Sequence, residues 1–258
     1  IKECYMYKYR KIFIPVLFLT SFLSHAQTAN TSVAKSNAIV KIEDKIYGLR
    51  LGSTRVIYNE GMLASSFWIK NEKKYPIIVQ SQVFSDDKKT KAPFIITPPV
   101  LRLESEIQTR LRIVPVSNVL KKDRESLFWI CVKGIPPENI SSYDTEDNNK
   151  STHVNINVIT NSCIKLLTRP KSVDISVEEA NKKLRWGIKE GELLVENPSP
   201  LYINIARITV NGKEVAIPDG YIEPYKSVSN FAKASKGDKV NSVVLDDIGA
   251  EINNEVTL

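Results

Sequence analysis

After residue 26 this chain shows almost no helical periodicity. Short runs rich in Val, Ile, Tyr, Phe and Thr alternate there with Gly, Pro, Asn and Asp. β-Branched and aromatic side chains suit a pleated, half-buried surface, and the turn residues end each run, so the pattern predicts an all-β chain of sandwich type. The expected strands are 53–58, 64–70, 77–84, 94–97, 109–114, 127–132, 153–160 and 164–168. A second set follows at 183–188, 193–196, 202–210, 226–231, 240–245 and 251–257. Only 177–183 reads as a helical turn. Arg169-Pro170 ends one apolar strand and opens a polar stretch at 171–181, which suits a bent linker between two domains.

The first 26 residues read differently. Lys8, Arg10 and Lys11 precede an apolar run over 12–23, and Ser24-His25-Ala26 places small residues where a signal peptidase cuts. The run is too short to span a bilayer, so 1–26 is read as a cleavable secretory leader, with residues 1–5 upstream of a start at Met6. Export implies an oxidising compartment. Cys4 leaves with the leader, and Cys131 and Cys163 then read as a disulfide rather than two buried thiols. Removing the leader lowers the net charge from +7 to +4, with 32 basic against 28 acidic residues. That excess is mild and lacks an arginine-rich tract, which argues against nucleic acid as a partner. No later segment is long and apolar enough for stable membrane insertion as a helix.

An enzyme reading finds little to build on. One histidine, His153, follows the leader, which nearly excludes histidine triads and two-histidine metal sites. There is no G-x-S-x-G, H-E-x-x-H, C-x-x-C or phosphate-cradling glycine loop. The doublets Asp86-Asp87 and Asp246-Asp247 read as solvated turns, because Asp favours turns. No catalytic residue, metal ligand or cofactor is therefore expected.

Two features point beyond an ordinary sandwich. In Val154-Asn155-Ile156-Asn157-Val158 a period of two puts three aliphatics on one face. The run follows a polar loop at 138–151, so it is read either as a half-buried strand or as an edge offered to a partner. The second feature is a pair of isolated cations, Arg55 and Lys165, in apolar strands. They are either solvated surface charges or a pair aimed into a cleft and suited to a terminal carboxylate.

Six motifs, in order, carry a resemblance. They are Ser53-Thr54-Arg55-Val56-Ile57-Tyr58, Thr97-Pro98-Pro99 with Leu101-Arg102-Leu103-Glu104, Asp123-Arg124-Glu125-Ser126-Leu127-Phe128-Trp129, Gly134-Ile135-Pro136-Pro137, Ile164-Lys165-Leu166-Leu167-Thr168-Arg169-Pro170 and Glu196-Asn197-Pro198-Ser199-Pro200. Over 45–258 the chain resembles the periplasmic chaperones of the chaperone–usher pathway, the PapD-like family. The Cys131–Cys163 pair and the long segment between the cysteines resemble the long-loop (FGL) subfamily, as does the extended stretch 33–44.

The resemblance implies two immunoglobulin-like sandwiches in an L, divided as 27–170 and 171–258. It implies that Arg55 and Lys165 anchor the carboxylate terminus of a fimbrial or adhesin subunit, and that Val154, Ile156, Val158 and Thr160 form the donor face. Val158 and Lys165 differ in parity, so a bulge or twist is expected between them. Glu125, Arg169 and Asp247 are implied to form an interdomain ion cluster. The implied partners are the subunits and an outer-membrane usher, with self-association of the free chaperone open. The competing readings are a fimbrial subunit or adhesin and, further off, a secreted carbohydrate-active enzyme.

Overall fold

Alternation decides which side of each strand is buried. In Ile77–Phe84 the residues Ile77, Val79, Ser81 and Val83 are buried and those between them are not, and Ser65–Lys70 and Phe94–Thr97 keep the same period. The computed structural model describes residues 41–47, 49–117, 121–137 and 153–258, with the backbone alone described at 41–47 and 153–158. The expected leader at 1–26 and the polar loop at 138–151 lie outside the described residues.

In chain order the first half contains β1 (Lys41–Tyr47), β2 (Arg50–Leu51), β3 (Arg55–Asn59), β4 (Ser65–Lys70), β5 (Ile77–Phe84), β6 (Phe94–Thr97), β7 (Val100–Leu103), β8 (Gln108–Pro115), β9 (Ser126–Ile135), β10 (His153–Ile159) and β11 (Asn161–Arg169). The second half contains α1 (Val177–Lys182), β12 (Arg185–Lys189), β13 (Glu192–Glu196), β14 (Ile203–Val210), β15 (Lys213–Val215), β16 (Tyr221–Ile222), β17 (Ser227–Val228), β18 (Lys239–Leu245) and β19 (Glu251–Thr257). A sheet ordered β3-β11-β9-β5-β7 and one ordered β2-β4-β8-β6 form the first sandwich. Sheets ordered β12-β13-β17 and β15-β14-β18-β19, with β16 on β14, form the second. β1 and β10 make a separate parallel pair.

Each sandwich has its own apolar interior. Val56, Ile69, Val79, Leu111, Ile130 and Leu166 are among the residues buried in the first. Leu201, Ile203, Ile222 and Val244 pack with Val177 and Ala180 of α1 in the second, and Leu193, Ile208 and Val240 extend it. Each such aliphatic contributes about 1.5–3 kcal/mol when fully buried. α1 is too short to persist alone, so its packing and its capping box hold it. The Ser176 hydroxyl accepts the Glu179 amide, and the Glu179 carboxylate accepts the Ser176 amide.

Both sandwiches use one buried asparagine in the same way. The Asn71 amide donates to the carbonyls of Tyr75, Leu103 and Glu104, and its Oδ1 accepts the Lys73 N–H. The Asn197 amide donates to Leu201, Ile222 and Glu223, and its Oδ1 accepts the Ser199 N–H. Each side-chain amide reaches three carbonyls from two chain segments at a strand end, where the ladders cannot.

The expected strands at 53–58 and 226–231 differ from their sequence runs for visible reasons. The run at 53–58 becomes a strand only at Arg55, because the chain changes sheets there: β2 pairs with β4, whereas β3 pairs with β11. Gly52 makes the crossing, and a Cβ at this position would lie 2.1 Å from the Trp68 ring. The run at 226–231 is reduced to Ser227–Val228, and Asn230 turns with a φ of 64°.

Candidate functional site

Residues directly opposite each other in neighbouring strands share a face of the sheet. Lys165 of β11 is paired with Arg55 of β3 on one side and with Trp129 of β9 on the other. Two residues along, Leu167 lies between Ile57 and Leu127; two further, Arg169 pairs with Asn59. Ile164 and Leu166 point the other way, into the first core. The outward face of this sheet thus carries a basic row, an apolar row and an ionic row in succession. Leu127 and Leu167 are both buried.

The second sandwich closes on this face through each polar row. Lys165 Nζ donates to Oδ1 of Asn204, on β14, at 2.8 Å and stands 4.6 Å from the ring centre of Tyr221 on β16. Arg55 Nη1 donates to the Asp246 carbonyl at 2.6 Å, and Nη2 donates to Thr54 Oγ1. Asp246 sits in the turn between β18 and β19, where its carboxylate accepts the amides of Ile248 and Ala250. Burial is the main influence on both cations. It pulls the Lys165 ammonium down to about 8, reinforced by the charge of Arg55 and partly opposed by Asp219. It also lowers the Arg55 guanidinium, against the pull of Asp247 and Asp246. Among the described residues, neither cation makes an ion pair within 4 Å.

The third row is neutralised. Arg169 Nε donates to Glu125 Oε1 at 2.7 Å, while Nη1 and Nη2 grip both oxygens of Asp247 at 2.6 and 2.8 Å. The second oxygen of Glu125 accepts the Tyr202 N–H at 2.8 Å. Glu125 is 1% exposed, and its burial pushes its carboxyl up, with Arg169 and the Tyr202 amide opposing. Burial works against the Arg169 charge, yet the bonds to Asp247 and Glu125 raise its pKa. Glu125 and Arg169 lie in the first sandwich and Asp247 and Tyr202 in the second, so the cluster ties the two together.

The cysteines face each other across β9 and β11 as a disulfide, with Cα atoms 4.0 Å apart. This bond lies one step beyond the basic row, toward β10. β10 pairs in parallel with β1 from Lys41↔His153 to Tyr47↔Ile159, and among the described strands it has no other ladder partner. Its second backbone edge is therefore open within the described structure. Extended structure breaks at Thr160, between β10 and β11, where the parity of the sequence changes. The side chains of Val154, Ile156 and Val158 lie outside the described residues.

The sequence profile of the pili and flagellar-assembly chaperone PapD N-terminal domain matches residues 48–174, and that of the PapD C-terminal domain matches residues 179–256. The chain belongs to the PapD-like pilus-assembly chaperone family. Within it, the chaperone is 50% identical over 216 residues to chaperone protein SefB of Salmonella enteritidis, covering 82% of this chain and 85% of SefB. It is 40% identical to chaperone protein AfaB of Escherichia coli, over 71% of this chain and 75% of AfaB. Its structure resembles the SafB chaperone in complex with the SafA pilin of Salmonella enterica, with a TM-score of 0.74 at 35% identity, covering 85% of this chain and 100% of that one. A second likeness, to the E. coli chaperone DraB, has a TM-score of 0.71 at 37% identity and covers 84% and 100%. The family is one of chaperones rather than enzymes. Both domains in one chain, with relatives named as chaperones, displace the subunit, adhesin and carbohydrate-enzyme readings.

Sequence reasoning named Arg55, Lys165, Glu125, Arg169 and Asp247, and the chaperone brings all five to one face. It missed Asn204, Tyr202 and Tyr221, which approach that face from the second sandwich. Asn204 alone left a trace, as a polar residue in the apolar run at 202–210 that is only 4% exposed. Asp246 acts through its backbone carbonyl, for which no sequence signal exists.

Proposed function

We propose that this protein is a periplasmic chaperone that captures a pilus or adhesin subunit lacking one strand, holds it folded, and passes it to an outer-membrane usher. The observation that carries this reading is the basic row. Arg55 and Lys165 are register partners, largely withdrawn from water, with neutral oxygens as their hydrogen-bond acceptors. Keeping two like charges desolvated without a counter-ion is costly, and an arriving carboxylate relieves that cost. A chain terminus supplies one, and gripping it sets the register of everything upstream.

β10 then supplies the missing strand. Its open edge offers backbone donors and acceptors to a subunit whose own edge is unpaired, and Val154, Ile156 and Val158 enter the subunit's groove. Each fully buried aliphatic adds about 1.5–3 kcal/mol. The disulfide joins β9 and β11 one step from the basic row, and so holds the end of β11 from which β10 extends. The domains divide at the linker after Arg169-Pro170, and the ion cluster sets the angle between them. Exchange of β10 for the next subunit's extension releases the client at the usher without nucleotide hydrolysis.

The donor role is tested by Ile156→Asp in cells co-expressing subunits encoded beside the chaperone gene. A charge in the groove should reduce the recovered chaperone–subunit complex at least tenfold, since it replaces a favourable burial with an unpaired ion. Undiminished recovery of that complex would remove β10 from the mechanism.

A further inference from the structure

The loop joining β5 to β6 is fixed by its own acidic residue. Asp87 accepts the amides of Lys89 and Thr90 through Oδ1, and the Thr90 hydroxyl through Oδ2. The Ser85 N–H donates to the Thr90 carbonyl, and the Lys88 N–H to the Ser85 carbonyl. Inside this network Lys88 takes a left-handed conformation, with φ of 56°. The loop thereby turns the Lys88 side chain back over the sheet, where Nζ stands 3.9 Å from the centre of the Trp129 ring.

Trp129 belongs to the basic row. It is the direct cross-strand partner of Lys165, which is in turn the partner of Arg55. Three cations therefore follow one line across β3, β11 and β9, the third carried on an indole face rather than on a strand. The indole N–H is buried and has no acceptor among the described residues. Lys88 itself is exposed, so its hydrated charge costs little until something covers it.

We propose that Lys88, seated on Trp129, is a third cation of the anchor and helps select a client by its terminal carboxylate. The proposal rests on the anchor reading of Arg55 and Lys165. A carboxylate has two oxygens and a charge that falls off slowly inside a partly dry cleft, so a third positive centre one strand away adds attraction without needing direct contact. The charge of Lys88 also acts on Lys165, where it favours the unprotonated amine in the empty site. Three like charges in a row make the vacant anchor less comfortable than the filled one. An incoming carboxylate thus gains from all three.

The test uses the full-length chaperone and a synthetic peptide of alternating valine and serine, prepared with a free terminal carboxylate and as the amide. Lys88→Met keeps an unbranched side chain over Trp129 and removes the charge, while Lys88→Arg restores a cation. Lys88→Met should weaken binding of the acid peptide about threefold to tenfold, the range of a partly screened charge contact, and leave the amide unchanged. Lys88→Arg should recover the acid preference. Followed by NMR of its side-chain carbon, the Lys165 titration midpoint should rise in Lys88→Met. Unchanged acid affinity with an unmoved Lys165 midpoint would reduce Lys88 to a cover for Trp129. If Lys165→Ala abolishes the acid preference while Lys88→Met does not, only the role of Lys88 falls. If the acid preference survives Lys165→Ala, the anchor reading fails, and this proposal with it.

Discussion

Replacing Lys165 with alanine is expected to abolish recovery of a chaperone–subunit complex from the periplasm while leaving the chaperone folded. The two halves of this result have one cause. Lys165 is a cation drawn largely out of water, its pKa held at about 8, with an amide oxygen and a tyrosine ring as partners. Removing it frees the cleft from a desolvated charge beside Arg55, so the melting temperature should be unchanged or slightly higher. In the proposed mechanism, capture depends on that same charge. Without it the client terminus meets Arg55, whose Nη1 is already bonded to the Asp246 carbonyl, and only the exposed charge of Lys88 beyond the gap.

The pH dependence should run in opposite directions for binding and for stability. Below about pH 8 the folded Lys165 is charged, so capture is strongest there and weakens as pH rises through that value. In the unfolded chain the lysine keeps its proton to about 10.4. Between these values the unfolded chain therefore binds more protons, and the stability of the free chaperone gains as pH rises across that window. Lys165→Ala should flatten both trends. A variant that still yields complex at the wild-type level would remove Lys165 from the anchor.

The second large effect is expected from Arg169→Met. Arg169 joins the buried Glu125 to Asp247, whose side chain is 40% exposed. A buried ion pair is not in itself evidence of net stability, but removing one partner leaves the other uncompensated, at about 3–5 kcal/mol. For a chain of this size that lowers the melting temperature by about 10 °C or more. Glu125 would keep one partner, the Tyr202 N–H, and its carboxyl would rise further. An acid whose folded pKa lies above its unfolded value loses stability as pH rises through the interval between them. The deficit of Arg169→Met should therefore shrink as pH falls toward the ordinary carboxylate range. Asp247→Asn should cost much less, because water reaches that end of the cluster. A deficit under 1 kcal/mol, or one independent of pH, would mean that the cluster does not hold the two sandwiches together.

Part of this arrangement is legible in the amino-acid pattern alone. Periodicity assigns faces, so 77–84, 94–97 and 251–257 are strands with the bounds the sequence suggests. Arg55 and Lys165 stand out because a cation in an apolar strand is expensive unless it serves something. What periodicity cannot supply is partners. Asn204 and Tyr221 reach Lys165 from 39 and 56 residues away, and only packing of the second sandwich brings them there. The β1–β10 pairing is illegible for the same reason, since parallel strands need no local turn to mark them. The later start of β3 follows from a change of sheets at Gly52, where the Trp68 ring leaves no room for a Cβ; the glycine is visible in the sequence, but the indole that demands it is not.

Amide hydrogen exchange over residues 153–159, compared between the free chaperone and a purified chaperone–subunit complex, reads strand donation itself. β1 protects one edge of β10, so alternate amides of the strand point to the open edge in the free protein. If β10 completes the client's sheet, those amides should slow by about tenfold or more on complex formation, because each gains a backbone acceptor. Exchange over 153–159 that is the same in both states, in a complex that is otherwise intact, would mean that β10 does not complete the client's sheet.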